Sequence, residues 1–254
     1  MRETTRRYLM SEFSGMVAIV TGSSSGIGER TAQRLAELGA HVVVNSASSV
    51  EAGQKVADSL PNGAIYVQAD ISDKAQCQKL IDTTIAKFGK LDVLVNNAGW
   101  TTLVPHADLD ALTDEIFEKT FNVNVMGTWQ LTKMAMPHLL KSQDGNVVNI
   151  TSVAGVRPMG SSIAYSMTKA ALNQMTRLMA KSHGPVRHNA VAPGLVETPW
   201  TQDWATQHAG VAAIAPLKRS ARPDDCAEAV LAFLRNKYVT GQIFVVDGGL
   251  TQVS

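Results

Sequence analysis

The stretch Thr21-Gly22-Ser23-Ser24-Ser25-Gly26-Ile27-Gly28 constrains the fold of this chain more than any other. It follows the apolar, strand-like run Met16-Val17-Ala18-Ile19-Val20. It precedes residues 29–38, where Leu35 and Leu38, with Ile27, recur at helical spacing as candidate buried positions. A strand, a glycine-rich turn and a helix in that order make a cradle. Backbone N–H groups and a helix N-terminus there face a pyrophosphate. Glycine suits such a turn because a Cβ would keep the backbone from approaching the phosphates. Taken alone, the motif also fits an ordinary Gly/Ser loop between strand and helix.

The rest of the chain repeats the alternation. Val/Ile-rich runs predict strands over residues 17–20, 41–45, 64–68, 93–95, 146–150, 187–191 and 243–246. Helical stretches fit between them, including 73–88, 114–140, 163–181 and 223–234. Nearly continuous apolar strands separated by helices imply a parallel sheet covered on both faces, with right-handed crossovers. The 254 residues are enough for one sizeable core. A net charge of +1 without a long basic run gives no sign of a nucleic-acid partner. Two cysteines, Cys77 and Cys226, supply neither a disulfide framework nor a metal-ligand cluster, and they fit a reducing, cytoplasmic setting. No run of about 18 apolar residues predicts a membrane span. The first residues carry Arg2, Arg6 and Arg7 without an apolar core of signal-peptide length. Residues 1–14 are therefore expected to be a flexible tail.

A candidate reaction centre lies near the middle. Tyr165 and Lys169 are four residues apart in Tyr-Ser-Met-Thr-Lys, so a helix there sets both on one face. A lysine ammonium beside a phenol favours phenolate, which predicts a Tyr165 pKa below the usual value of about 10. Tyr165 then becomes a proton donor or acceptor near neutral pH. Ser152 adds a hydroxyl able to hold a carbonyl oxygen. By itself a Tyr-x-x-x-Lys pair also arises by chance on helix surfaces.

Together these segments resemble the single-domain short-chain dehydrogenase/reductases, nearest in pattern to the 3-oxoacyl-carrier-protein reductases. The glycine pattern is that family's T-G-x-x-x-G-x-G. Asn96-Asn97-Ala98-Gly99, after the apolar run 91–95, is similar to its N-N-A-G segment. Asn124, in Asn122-Val123-Asn124-Val125, matches its fourth catalytic residue. Asn189-Ala190-Val191-Ala192-Pro193-Gly194 and then Thr198 resemble its N-x-x-x-P-G segment and the threonine that follows. The resemblance runs from about Gly15 to Gly249 and implies an α/β, Rossmann-type, doubly wound sheet of seven parallel strands. Residues 15–254 would form a single dinucleotide-binding and catalytic domain, with a substrate lid over 197–222.

The implied activity is an oxidoreductase that moves a hydride between a nicotinamide cofactor and a carbonyl or secondary alcohol. Asn124, Ser152, Tyr165 and Lys169 are its implied catalytic residues. Ser152 and Tyr165 would hold the substrate oxygen, Tyr165 donating the proton. Lys169 would lower the tyrosine pKa and bond the nicotinamide ribose, and Asn124 would anchor a water that relays protons. Cofactor contacts are implied for Gly22, Ser24, Ser25, Ile27 and Gly28 in the turn, and for Asn45 and Ser46 after the second strand. Asp70 and Ile71 are expected beside the adenine, with Asn97, Ala98 and Gly99 following. Tyr165, Lys169, Pro193, Gly194, Val196 and Thr198 are expected at the nicotinamide end. The second strand ends in Asn45-Ser46-Ala47-Ser48-Ser49, with no carboxylate to repel a 2′-phosphate. That favours NADP(H) over NAD(H), although the serines also suit a helix-capping turn.

Trp100, Val153, Ala154, Met159, Leu195, Trp200 and Trp204 surround the expected pocket and suggest an apolar wall, though each also fits the core or a subunit contact. An acidic acyl carrier protein would need a basic surface at the site mouth. Residues 141–144 and 181–184, expected there, are only weakly basic, and His188 stands where the family has an apolar residue. These departures weigh against carrier-bound substrates and favour a free ketone, aldehyde or secondary alcohol, with 3-oxoacyl-thioester reduction as the alternative. A non-catalytic dinucleotide sensor or scaffold is the alternative of another class. The helices over 114–140 and 163–181 resemble the pair that forms the interface of family dimers and tetramers. Met134, Leu172 and Met175 fit either that interface or the core.

Overall fold

The computed structural model describes residues 12–253. Most of the expected tail therefore lies outside the described residues, but its last three do not. Phe13 is buried in the core and donates its N–H to Leu38 O at 2.8 Å, while Glu12 accepts from Arg235. The folded domain thus begins before residue 15.

Seven strands form one parallel sheet: β1 (Val17–Val20), β2 (His41–Ser46), β3 (Ile65–Gln68), β4 (Val93–Asn96), β5 (Asn146–Ile150), β6 (Arg187–Pro193) and β7 (Ile243–Val246). Their spatial order is β3-β2-β1-β4-β5-β6-β7. Nine α-helices are seen among the described residues: α1 (Gly26–Glu37), α2 (Val50–Ser59), α3 (Lys74–Phe88), α4 (Asp114–Phe121), α5 (Thr128–Leu139), α6 (Ile163–Ser182), α7 (Ala205–Ile214), α8 (Pro223–Arg235) and α9 (Leu250–Val253). Alternate strand residues feed two apolar layers. Ala18, Val20, Val42 and Val44 pack with α1 and α8, and Ile19, Val43, Leu94 and Val147 pack with α3 and α5. Residues buried on both faces explain why the strands read as unbroken apolar runs.

The chain reverses direction across the sheet between β1 and β4. That switch point brings the loops after these two strands together at their carboxyl ends, where α/β sheets bind ligands. Helix starts are fixed locally. Asp73 accepts from Ala75 N and Gln76 N, Thr113 from Ile116 N, and Ser162 from Tyr165 N.

The single helix expected over 114–140 is interrupted. Between α4 and α5, Asn122–Gly127 forms a π turn. A Cβ on Gly127 would sit 2.7 Å from Ile71 O, so the helix approaches the β3 loop at contact distance. Leu172 is buried, and Met134 and Met175 pack against the core, so these three serve the interior. A polar ladder runs beneath α5 and α6. Asn96 and Asn149 are register partners on β4 and β5, and Asn96 Nδ2 donates to Asn149 Oδ1 at 2.8 Å. Asn96 also donates to Thr132, and Asn149 to Thr176. No helix among the described residues is long and apolar enough to cross a membrane.

Candidate active site

The turn after β1 is held from both sides. Gly22 and Gly26 have φ of +61° and +60°, a left-handed region that favours glycine. A Cβ on Gly28 would lie 2.5 Å from both Asn97 Nδ2 and Gly22 O, so this position has no room for a side chain. Asn97 Nδ2 donates to Thr21 O at 2.8 Å and Gly22 O at 3.0 Å, and Thr21 Oγ accepts from Asn97 N and Ala98 N. Asn97, expected to touch the cofactor, therefore clasps the turn with its side chain.

Asn45 acts similarly from β2. It donates to Val67 O and Ala69 O and accepts from Gly22 N, and it is buried. Ser46 Oγ pairs with the Tyr66 hydroxyl at 2.9 Å. The side chains of Asn45 and Ser46 are thus committed to the sheet edge, whereas Ser48 and Ser49 are exposed. Ser23, which the sequence did not single out, donates to Val20 O, and its hydroxyl accepts from Asn45 N.

The turn fits a pyrophosphate. The N-cap of α1, Ser25, makes no side-chain capping bond, which leaves the first N–H groups of a twelve-residue helix for a ligand. Ser24 is half-buried, Ser25 is exposed and Ile27 packs partly against the core. Thr198, from the segment after β6, rests on this loop: a Cβ on Gly26 would stand 3.1 Å from its Cγ2. Asp70 lies after β3 and caps its own loop through Ser72, and Ile71 is buried beside Gly127.

At the other end of the crevice the three reaction-centre residues come together. Tyr165 and Lys169 lie on the first turns of α6, positioned by the Ser162 cap. Lys169 is buried and donates to Ile150 O at 2.9 Å, with Nζ 5.4 Å from the Tyr165 ring centre. Ser152 follows β5 beside Tyr165, accepts from Ala154 N at 3.1 Å and donates to Pro193 O at 3.5 Å. Gly155 makes this approach possible, since a Cβ there would lie 2.5 Å from the Lys169 backbone.

Asn124 joins from the π turn. Its amide donates to Trp100 O and Thr168 Oγ and accepts from Trp100 N, while Thr168 donates to Tyr165 O. Three of the four hydrogen-bonding capacities of the Asn124 amide are engaged in holding the site together. Gly99 lies where Asn124 and Lys169 meet: a Cβ on it would be 3.3 Å from Asn124 Oδ1 and 3.7 Å from Lys169 Nζ.

The electrostatics correct the sequence expectation. Burial pushes the Tyr165 phenol up to about 12, opposed by the hydrogen bond with Ser152, and the lysine charge is not among the causes. Burial pushes Lys169 down to about 8. Spacing alone conveys the neighbouring charge but not the loss of water around both groups. In this state Tyr165 is a protonated acid across neutral pH.

The expected pocket residues all occupy loops after strand carboxyl ends. Trp100 is half-buried after β4, with Lys119 Nζ 4.3 Å from its ring centre. Val153 and Ala154 are buried in the turn after β5, and Met159 is half-buried. Leu195, Trp200 and Trp204 follow β6, with Trp200 the most exposed of the three. Pro193 ends β6, and Gly194 lies against Asp247. Val196 forms a bridge with Ala221 that closes the base of the 197–222 segment, which carries α7 and shows no buried residue within that helix. Residues 141–144 and 181–184 are not at the mouth. They precede β5 and β6, at the opposite end of the sheet from Ser152 and Tyr165. Their weak basicity therefore has no bearing on docking at the mouth and does not disfavour carrier-bound substrates.

Comparison with known proteins agrees with this geometry. A family described as Enoyl-(Acyl carrier protein) reductase matches residues 22–251. The putative ketoacyl reductase 2 of the granaticin polyketide synthase of Streptomyces violaceoruber is 55% identical over 92% of this chain and 95% of its own. The cis-4-hydroxycyclohexanecarboxylate dehydrogenase of Sinomonas cyclohexanicum is 38% identical over 95% and 98%. Among solved structures, a 3-ketoacyl-(acyl-carrier-protein) reductase from Brucella melitensis, complexed with NADH, superimposes with a TM-score of 0.87. It is 33% identical, over 94% of this chain and 99% of that one.

Proposed function

Because this chain belongs to the short-chain dehydrogenase/reductase family and is an NAD(P)-dependent oxidoreductase, we propose that it interconverts a ketone and a secondary alcohol on an apolar substrate through Asn124, Ser152, Tyr165 and Lys169. The observation that carries this is the meeting of a buried lysine, a protonated phenol and a serine hydroxyl at the carboxyl ends of β5 and β6. Ser152 and Tyr165 hold the carbonyl oxygen, and Tyr165 gives it a proton. Lys169 keeps N–H groups free beside Gly99 for ribose hydroxyls. Asn124 fixes Trp100 and the first turn of α6. The nicotinamide, when bound, supplies or accepts the hydride. The N-terminus of α1 and the turn from Gly22 to Gly28 would hold its pyrophosphate, and Thr198 would stand beside it.

The carbonyl substrate we propose is a 3-oxoacyl thioester. The 55% identity to a polyketide ketoacyl reductase supports that choice. A free cyclic alcohol or ketone is the second reading, supported by the 38% identity to a hydroxycyclohexanecarboxylate dehydrogenase. For the cofactor we propose NADP(H), on the absence of any carboxylate between Asn45 and Ser49. With Asn45 and Ser46 engaged, the exposed Ser48 and Ser49 take the 2′-phosphate. We further propose a homodimer or homotetramer joined through Met126, Trp129, Met167 and Leu178, which are exposed on the π turn, α5 and α6. Two buried free cysteines suit the cytoplasm.

The test follows NADPH and NADH oxidation with 3-oxoacyl thioesters, cyclic ketones and aldehydes. Turnover in Tyr165→Phe should fall by about 10²–10⁴-fold with cofactor still bound. Near-normal turnover in that variant overturns the assignment, and equal dissociation constants for the two cofactors overturn the NADP(H) choice.

A further inference from the structure

Helix α7 sits in the middle of the 197–222 segment and buries none of its residues, so packing alone does not hold it to the domain. Its carboxyl end is docked. Ala215 is buried, Leu217 N donates to Gly248 O at 3.1 Å, and Pro216 lies against Gly249. Along the helix itself, among the described residues, His208 is the residue whose side chain is recorded hydrogen-bonding to the chain outside the helix. Its Nδ1 is 2.7 Å from Ser220 Oγ, and its Nε2 is 3.2 Å from both Thr201 O and Thr201 Oγ.

A carbonyl oxygen only accepts, so Nε2 carries the proton. Nδ1 shares the second hydrogen bond with the Ser220 hydroxyl. Both partners are buried, and both lead to the same place. Thr201 Oγ donates to Val196 O at 2.6 Å. Ser220 precedes Ala221, which bridges Val196 and donates to Leu195 O. Val196 in turn lies two residues before Thr198, which touches Gly26.

We propose that His208 is the positioning residue that latches the substrate lid. One imidazole ties α7 to the two strands of its own base, and through Val196 and Thr198 to the turn that receives the cofactor. It touches no reacting group and acts by fixing where the lid lies. The inference rests on the reading of 197–222 as the lid.

The experiment is hydrogen–deuterium exchange on the full chain without substrate, paired with steady-state kinetics on whichever ketone turns over. His208→Ala should speed exchange over residues 205–214 by about tenfold, the scale of one to two net hydrogen bonds, and leave the β1–β4 region unchanged. In kinetics KM for the ketone should rise, while the cofactor dissociation constant stays within about twofold. Unchanged exchange over 205–214, or exchange raised equally through the whole domain, overturns the latch. Faster local exchange with an unaltered KM overturns the positioning role. Exchange is read without substrate, so it decides the latch even if every ketone is silent. The Tyr165→Phe assay judges the catalytic reading separately.

Discussion

The turn after β1 and the 197–222 segment after β6, proposed above as a lid, cover the same edge of the sheet and are built in opposite ways. Asn97, Asn45, Ser23 and Thr21 pin the turn, and its glycines stand where a methyl group has no space. The 197–222 segment carries a helix that buries nothing, joined at its base by a β-bridge, docked past its carboxyl end through Leu217 N and Gly248 O, and tied across its middle by one imidazole. A pyrophosphate has one shape, so a rigid cradle costs little ordering on binding. Under the proposed lid reading a substrate has to enter and leave, and a helix with no buried residue suits a cover that opens. The same residue type therefore means different things in the two places.

Glycine exposes that difference most directly. Gly28→Ala forces a Cβ into Asn97 and Gly22, and should destabilise the domain by about 3 kcal/mol, at the upper end of ordinary overpacking. Cofactor affinity, read by nucleotide fluorescence titration, should fall with it. A variant that binds and melts like the parent would break the contrast.

His188 lies under neither region and calibrates both. It is buried on β6, and neither ring nitrogen has a hydrogen-bond partner among the described residues. Burial, with a smaller push from the charge of His183, lowers its pKa from 6.5 to about 4. The unfolded chain binds the proton more readily, so stability present above pH 6.5 is lost as pH falls towards 4, by about 3 kcal/mol for the full shift. His188→Val should therefore raise the melting temperature, and by more at pH 5 than at pH 7.5. A pH-independent difference would show that the imidazole binds its proton equally well in both states, so that burial does not lower its pKa.

Asn97→Ala removes two bonds to the turn and should cost about 2 kcal/mol, with weaker cofactor binding and unaltered exchange in the lid. Coupled loosening of the lid would mean that the two regions are one unit. The smallest effect belongs to Gly210, within α7, where a Cβ would meet nothing within 4 Å. Gly210→Ala should stabilise that helix by about 0.5–1 kcal/mol and slow its exchange. The opposite signs expected at Gly28 and Gly210 sharpen the comparison into a measurement.

Much of this architecture is legible in the sequence because strands buried on both faces leave continuous Val/Ile runs. Helix boundaries came within a residue or two where a cap such as Asp73 or Pro223 marks them. The site residues were readable as motifs, but several of their tasks were not. Asn45 and Asn97 read as ligand-facing amides, yet each satisfies backbone carbonyls that only the assembled loops bring near. The π turn around Asn124 has no local signal, since Gly127 meets Ile71 across a gap of more than fifty residues in the chain. The Tyr165 pKa was misjudged for the same reason: sequence spacing reveals the lysine four residues on, but not the burial that outweighs it. The lid helix lacks the apolar stripe from which amphipathic helices are recognised. Ser162, three residues before Tyr165, did carry a capping signal that reading for chemistry alone passes over.

The ladder joining Asn96 to Asn149 bears on how the sheet tolerates recombination. Asn96 Nδ2 donates to Asn149 Oδ1 at a point where β4 and β5 are in register, and Thr132 and Thr176 accept from Asn96 and Asn149 on the helices above. The four form one hydrogen-bonded block. A chimera that takes β4 from a homologue with carbon at position 96, while keeping β5, would leave Asn149 with an acceptor that nothing answers. Strand swaps within this fold are therefore safest when the cut points fall outside residues 96 to 176.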